Sequence, residues 1–375
     1  MKTFQNFYMI ILFFIAVSCE NKNSRENDLA ELNNVSYSHE LVVGDLNIPW
    51  GFTFLPDNSM LITEKSGMLF HFNNGIKTTI SGLPDITLLG QGGLLDIELH
   101  PNYQINGWIY LSYASSLGTG DGANTTIMRS KLEQNTLFDK QVLYKATPNT
   151  TAGQHFGSRL EFDNEGYLYF SIGDRGNRDV NPQDITRDCG KIYRLHDDGS
   201  IPDNNPFVNT PNAKAAIYSY GHRNPQGMAK HPVTGEIWTH EHGPQGGDEI
   251  NIINSGNNYG WPEISYGINY NGTSFTDHTA LPGMEQPLHY WTPSIAPSGM
   301  AFVSSNIYPE LKGNLLIGSL KFKYLNHCIL KNNIVVKEER LLDQIGRVRC
   351  VKQGPDGYIY IGVENLGIVK LIPKN

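Results

Sequence analysis

The sequence predicts an all-β fold, a six-bladed β-propeller of four-stranded antiparallel blades, on three observations. A phrase of two strands around a tight turn recurs six times along the chain. Gly 38 and Pro 20 in 375 residues, with aromatics at 11%, suit many short strands joined by turns. A separate strand-like stretch near the start has the alternation needed to complete the last repeat.

The chain opens MKTFQNFYMIILFFIAVSCE, with Lys2, an apolar run from Met9 to Val17 and small residues before Cys19. This reads as an export signal over residues 1–18, too short for a stable membrane span. The AVSC ending resembles a bacterial lipobox, in which Cys19 becomes the lipidated first residue. Ordinary cleavage near Ser18, with Cys19 incidental, is the alternative. Residues 19–33, including ENKNSREND, are polar without apolar period and read as a flexible tether. The propeller is expected over 34–375.

SHELVVG from Ser38 is the early strand. The repeats then begin at Ile48 (IPWGFTFLPDNSMLITEKSGMLFHF), Gly92 (GGLLDIELHPNYQINGWIYLSYA), Gly157 (GSRLEFDNEGYLYFSIG), Asn224 (NPQGMAKHPVTGEIWTHEHG), Pro297 (PSGMAFVSSNIYPELKGNLLIGSL) and Arg347 (RVRCVKQGPDGYIYIGV). Each is an apolar strand, a turn of Pro, Asp, Asn or Gly, and a second alternating strand, often followed by a third such as GKIYRLHDDG. Such a unit cannot bury its faces alone and stacks on its neighbours, so a repeated all-β unit of this size predicts a propeller. The last unit shows only three strands, ending GIVKLIPKN, and the Ser38 strand is expected to close its edge.

The net charge of −8 argues against a nucleic-acid partner, which would need clustered Lys and Arg. Cys189, Cys328 and Cys350 show no CxxC spacing, and an odd number leaves at least one free thiol; a Cys328–Cys350 disulfide stays open. The sequons at Asn34, Asn124 and Asn271 carry little weight if the lipobox makes the chain bacterial.

Propellers place ligands at one mouth of the channel, where loops from several blades meet. Polar residues at the ends of the repeated strands are therefore the candidates: Gln91, His155, Asp174, Arg223, Asn224, Gln226, Lys321, Arg347 and Arg349. The segment GHRNPQGMAKHPVTGEIWTHEHGPQGGDEINII, from Gly221 to Ile253, is too rich in charge and amide groups to serve as core alone.

In order along the chain, GQGGLLDIELHP, QHFGSRL, SIGDRG, GHRNPQG, EHGPQGGDEIN with NNYGWP, WTPSIAPSG, GSLK and RVR resemble the soluble quinoprotein sugar dehydrogenases. The EHGPQGG form is similar to the aldose sugar dehydrogenase branch. The resemblance spans nearly all the mature chain. It implies oxidation of aldoses to lactones with pyrroloquinoline quinone (PQQ) and calcium, and electrons passed to an external acceptor.

The resemblance implies that His155 is the base taking the anomeric hydroxyl proton, with Asp174 orienting its ring and stabilising its charged form. Without the other motifs His155 would read as a turn or packing histidine. It implies that Arg223 stabilises negative charge at the quinone C5 oxygen, where a surface salt bridge is the bland reading. Lys321, Arg347 and Arg349 would hold the cofactor's carboxylates, with Gln91, Asn224 and Gln226 as hydrogen-bonding partners and the Ala296 backbone alongside. Arg347 and Arg349, two apart, share a strand face. The carbonyls of Gly243 and Pro244 would bind the calcium that also chelates the quinone, and Glu249 with the Tyr259 carbonyl a second, structural calcium. His240-Glu241-His242 suggests zinc instead, but no third ligand at useful spacing follows.

Gln154 stands where the glucose dehydrogenase branch has an acid, and the loop from Tyr266 to His289 has no counterpart, which leaves the preferred sugar open. Two other classes compete. One is a non-catalytic binding propeller similar to the hedgehog-interacting proteins, and the other a calcium-dependent, lactonase-like hydrolase. The lipobox places the protein in the bacterial cell envelope, on the periplasmic side or at the outer membrane, touching membrane only through its anchor. Cys19→Ala is expected to leave the protein soluble or unprocessed; unchanged membrane fractionation would refute the anchor.

Overall fold

The computed structural model describes residues 36–374; the predicted signal peptide, Cys19 and the tether lie outside the described residues. Six four-stranded antiparallel sheets follow one another along the chain. Blade 1 comprises Pro49–Phe54, Met60–Glu64, Met68–Asn73 and Ile76–Thr79. The first strands of blades 2 to 6 are Leu94–Leu99, Leu160–Phe162, Pro225–Lys230, Pro297–Phe302 and Val348–Gln353, each inside or at the head of a predicted repeat.

The first strands of neighbouring blades touch each other all the way round, so they form the channel wall. First and second strands are accordingly almost wholly buried, as in IYLSYAS at Ile109–Ser115, whereas outer strands such as Thr136–Lys145 are largely exposed. Each junction between blades has its own apolar cluster. Leu61 and Leu69 of blade 1 meet Ile97 and Leu111 of blade 2, and Leu316 of blade 5 meets Val348 and Ile361 of blade 6. Tyr37–Val43 pairs antiparallel with Gly367–Pro373, Leu41 opposite Val369, and closes the ring as the alternation predicted.

Crowding six strands around one axis disturbs their ladders. In five blades the pairing of first and second strands shifts register near one end, at Pro49/Gly51, Leu94/Ile97, Pro225/Gly227, Ser298/Met300 and Val348/Cys350. A bulge strands a residue whose backbone groups must bond elsewhere. Side chains of the adjoining blade do this around the whole ring. Thr63 Oγ1 donates to Leu95 O (2.5 Å), Ser112 Oγ to Ser158 O (2.6 Å), Ser171 Oγ to Pro225 O (2.9 Å) and Ser298 Oγ to Arg349 O (2.8 Å). His240 Nε2 lies 3.4 Å from Gly299 O, and Cys350 Sγ donates to Pro49 O at 3.4 Å.

Arg159 collects what remains. Its guanidinium donates to Trp50 O (3.3 Å), Gln226 O (2.7 Å), Arg349 O (2.9 Å) and Asp96 Oδ1 (3.1 Å), and lies 4.0 Å from the Trp50 ring centroid. One side chain in blade 3 thus binds blades 1, 2, 4 and 6. Asp96 Oδ2 accepts Leu160 N–H at 3.0 Å, so the counter-charge is itself fixed.

Cys189, Cys328 and Cys350 are free and buried. The Cys328–Cys350 bridge does not form. Cys328 lies in Leu325–Lys331 of blade 5 and Cys350 in the channel wall of blade 6. Burial pushes the Cys350 thiol up to about 12, leaving it an unreactive packing group.

Arg159→Met would take from Asp96 its ion-pair partner and leave the Trp50 and Gln226 carbonyls without this donor, while Arg349 O keeps Ser298 Oγ. A stability loss of about 3–5 kcal/mol is expected from chemical denaturation. A loss below about 1 kcal/mol, the scale of an exposed ion pair, would show the arginine to be dispensable.

Candidate active site

In an antiparallel blade the start of the first strand and the end of the second lie at the same end of the channel. Gln91, His155, Arg223, Asn224, Ala296 and Arg347 precede or open first strands, and Asp174 and Lys321 follow second strands. The fold therefore gathers these candidates at one mouth.

His155 sits in the left-handed region, φ 58°, an uncommon conformation for a residue with a Cβ. Its backbone N–H donates to Gln91 Oε1 at 2.8 Å, which fixes the turn. Nδ1 meets Asp174 Oδ1 at 2.6 Å, and Nε2 has no protein partner among the described residues. Asp174 is buried and saturated. Oδ1 also takes Gly176 N–H (2.7 Å) and Oδ2 takes Trp261 Nε1–H (2.9 Å). Burial would raise this carboxyl, but the His155 hydrogen bond and charge, with Arg223, hold it below its ordinary range. For His155, burial outweighs the pull of Asp174, and Arg223 adds to the push, so the imidazole is held neutral below its usual value. The product is an oriented neutral base beside a fixed anion.

Arg223 is anchored by its backbone and its side chain. Its N–H donates to Glu241 Oε2 (2.5 Å), Nη1 donates to His242 O (2.9 Å), and its carbonyl takes Asp174 N–H (2.7 Å). Glu241 also holds His222 Nδ1 at 2.9 Å, and that ring stacks on Tyr259. Asp174 and Arg223 are therefore tied through the main chain, placing a cation next to the base.

The amides are partly committed to scaffold. Asn224 Oδ1 takes Gly157 N–H (3.1 Å), Gln226 Oε1 takes Arg349 Nη1 (3.1 Å), and Gln91 serves His155. Their NH2 groups make no hydrogen bond among the described residues, leaving three donors for an oxygen-rich ligand. Arg347 Nε and Arg349 Nε share Glu364, at 2.6 and 3.0 Å, although Arg347 precedes the strand and Arg349 lies at its register shift. Burial would raise Glu364, but the two arginines win and hold it below the carboxylate range. Lys321 Nζ forms no ion pair among the described residues. Lys65, which sequence reasoning missed, bonds Gly90 O at 2.7 Å and feels both Arg349 and Glu364. Arg347, Arg349 and Lys65 thus share one anion, with Lys321 at the same mouth.

The Gly243–Gly247 turn is drawn tight. A Cβ on Gly243 would fall 2.2 Å from Gly246 O, so only glycine fits. Asp248 ties the turn to blade 5, accepting Gly243 N–H (2.8 Å), Ala296 N–H (2.9 Å) and Ser294 Oγ (2.6 Å). The carbonyls of Gly243 and Pro244 accept no hydrogen bond among the described residues, nor does that of Tyr259. Glu249 stands directly opposite Glu241 in the blade 4 ladder. Burial, then repulsion from Glu241, push Glu249 up to about 8. A cavity of about 10 Å³ beside both carboxylates is the size of one water or ion. Free carbonyls and a frustrated carboxylate suit a hard cation. Zinc is not assembled, because no group of three His, Cys, Asp or Glu side chains converges among the described residues, and Glu241 is engaged by His222 and Arg223.

Trp261, Asp248, Glu364 and Lys65 were not singled out from sequence, and Glu241 was named only as part of a zinc triplet. Glu241, Glu364 and Lys65 end second strands as Asp174 does, so aligning the repeats strand by strand would have found those three.

The family model described as Glucose / Sorbosone dehydrogenase matches residues 46–370. The chain is 41% identical over 346 residues to aldose sugar dehydrogenase YliI of Escherichia coli (strain K12), covering 90% of this chain and 93% of that one. It is similar to the apo-form crystal structure of the soluble aldose sugar dehydrogenase from Escherichia coli, with TM-score 0.87 and 40% identity over 90% of this chain and all of that one (100%). It is also similar to the PQQ-bound aldose sugar dehydrogenase of Streptomyces coelicolor, with TM-score 0.73 and 25% identity over 91% and 99% of the two chains.

The folded-state value of His155 lies below that of the unfolded chain, so the unfolded chain takes the proton first. His155 accordingly costs stability as pH falls below about 6.5. An NMR titration is expected to place its midpoint below about 6.5, and lower still in Asp174→Asn, which removes the attracting charge. A midpoint above that value, or an upward move in the variant, would contradict this account.

Proposed function

The chain belongs to the glucose/sorbosone dehydrogenase family, and from that membership we propose that it oxidises aldose sugars at the anomeric carbon to lactones, as a PQQ- and calcium-dependent dehydrogenase that hands electrons to an external acceptor. The observation that carries the reading is His155, neutral, oriented by Asp174 through Nδ1 and open at Nε2, at the same mouth as Arg223 and the cation group.

The quinone, when bound, supplies the acceptor for the hydride leaving the sugar's anomeric carbon. His155 Nε2 takes the proton of the anomeric hydroxyl, and Asp174 stabilises the imidazolium that results. Arg223, held at both ends, is a preorganised cation for negative charge that develops beyond the sugar. Lys321, Lys65, Arg347 and Arg349 suit the three carboxylates of the quinone, and the NH2 groups of Gln91, Asn224 and Gln226 suit its oxygens. The Gly243 and Pro244 carbonyls would hold one calcium, and Glu249 with the Tyr259 carbonyl a second that relieves the Glu241–Glu249 repulsion.

A binding propeller would not need the His155–Asp174 pair. A lactonase-like site would centre its metal on side-chain carboxylates, whereas here the free oxygens are mainly carbonyls. We further propose the cell envelope as the location, with a lipid on Cys19 as the only membrane contact.

Apoprotein given PQQ and calcium is expected to reduce a dye with aldoses, to lose activity on chelation, and to regain it only with both added. His155→Gln should keep quinone binding and lose turnover by roughly 10²–10⁴-fold. Arg347→Ala should instead raise the quinone concentration required, with turnover at saturation less affected. Near-normal turnover in His155→Gln would reject the base, and failure of the unmodified protein to bind quinone would reject the enzyme.

A further inference from the structure

A second cleft opens between blades 4 and 5, with a volume of about 410 Å³, inside the range of small-ligand sites. One wall is the segment from Tyr290 to Ile295. The other carries Phe322, Tyr324, Asn326, Glu338 and Arg340. Phe322 and Tyr324 have parallel rings with centroids 6.2 Å apart. Tyr290 is backed by Tyr266, stacked at 3.8 Å, and stays 44% exposed.

The polar groups are arranged in a complementary pair. Glu338 is fixed by Trp291 Nε1 and Asn326 Nδ2 on Oε2, both at 2.6 Å, and by His289 Nε2 on Oε1 at 3.0 Å. Burial would raise this carboxyl, but these hydrogen bonds hold it down to about 2, so it is an anion at any working pH. Oε1 has one partner and keeps a lone pair. Arg340 is two residues along the strand Ile334–Leu341 and on the same face; its guanidinium makes no hydrogen bond among the described residues and lies 5.0 Å from the Tyr324 ring centroid.

We propose that this cleft is an accessory site for a neutral saccharide ring, distinct from the mouth. An anion would meet Glu338, and a cation would meet Arg340. A flat apolar ring would strip water from both and satisfy neither. A pyranose satisfies each group. Its C–H face lies on aromatic surface, one hydroxyl donates to Glu338 and a neighbouring one accepts from the Arg340 fork. Cleft and mouth share a wall, since Ile295 lines the cleft while its carbonyl takes Lys321 N–H (3.2 Å) and Ser319 Oγ (2.8 Å), and Ala296 follows it. A glycan held here would keep a sugar-oxidising mouth beside its source of reducing ends.

The test uses ¹⁵N-labelled apoprotein and follows the Trp291 indole resonance while glucose, maltose or maltotriose is added. A saturable shift is expected, retained in His155→Gln and weakened roughly tenfold, about 1.4 kcal/mol, in Arg340→Ala and in Phe322→Ala. No saturable shift at tens of millimolar saccharide overturns the proposal. So does loss of the shift in His155→Gln, which would assign it to the mouth, or a shift given by a soluble benzoquinone and by no sugar. Because no turnover is read, an inactive protein that binds maltotriose here would sink the dehydrogenase reading and leave this one standing.

Discussion

Six strands cannot crowd one axis and keep six undisturbed ladders, and the rest of the molecule follows from how that conflict is settled. The bulges strand backbone carbonyls in the channel wall, and each must find a donor there. Arg159 answers three at once, those of Trp50, Gln226 and Arg349, and balances its charge on Asp96. The other stranded groups are answered by a hydroxyl, an imidazole or a thiol of the next blade. Buried polar groups of this kind add little when satisfied and cost much when one partner is lost, so the ring is specified more than it is strengthened.

The same bulges aim the mouth. Gln226 and Arg349 are themselves the residues displaced from their ladders. The displacement that leaves their carbonyls to Arg159 also turns their side chains to each other across blades 4 and 6, at 3.1 Å. His155 lies four residues before Arg159 in the segment that enters blade 3. A change at the channel axis would therefore reach the base through backbone only a few residues long. The geometry of the mouth and the closure of the ring therefore share the same backbone.

This explains what the sequence made legible. Strand alternation is local, so the six repeats and the closing strand could be read directly, and Tyr37–Val43 lies where the open edge required it. Residues at strand ends were legible as a class, which is how His155, Asp174, Arg223 and Lys321 could be named. Partners brought together only by the ring were not. Trp261 is 87 positions from the Asp174 it holds, and Arg349 is 123 from Gln226. Glu364 turns two arginines expected to be free into a shared pair, and Cys328 and Cys350 lie in different blades, which no spacing rule could foretell.

The mouth is electrostatically unfinished in two places of opposite sign. Arg347, Arg349 and Lys65 gather around Glu364, while Glu241 stands opposite Glu249 in one ladder and, with burial, pushes it up. A chain of net charge −8 gains nothing in solubility from concentrating cations at its channel mouth, and folding gains nothing from burying Glu249 where its ionisation is opposed. Both arrangements would be relieved by the ligands proposed above, an anion at the basic groups, one hard cation at the carbonyl turn and a second at Glu249. Binding of the anion or of the cation at the turn would favour the other, because each neutralises charge that the other must approach. The anion and the cation at the turn would then occupy one linked site, whose occupancy adds to the stability of the fold.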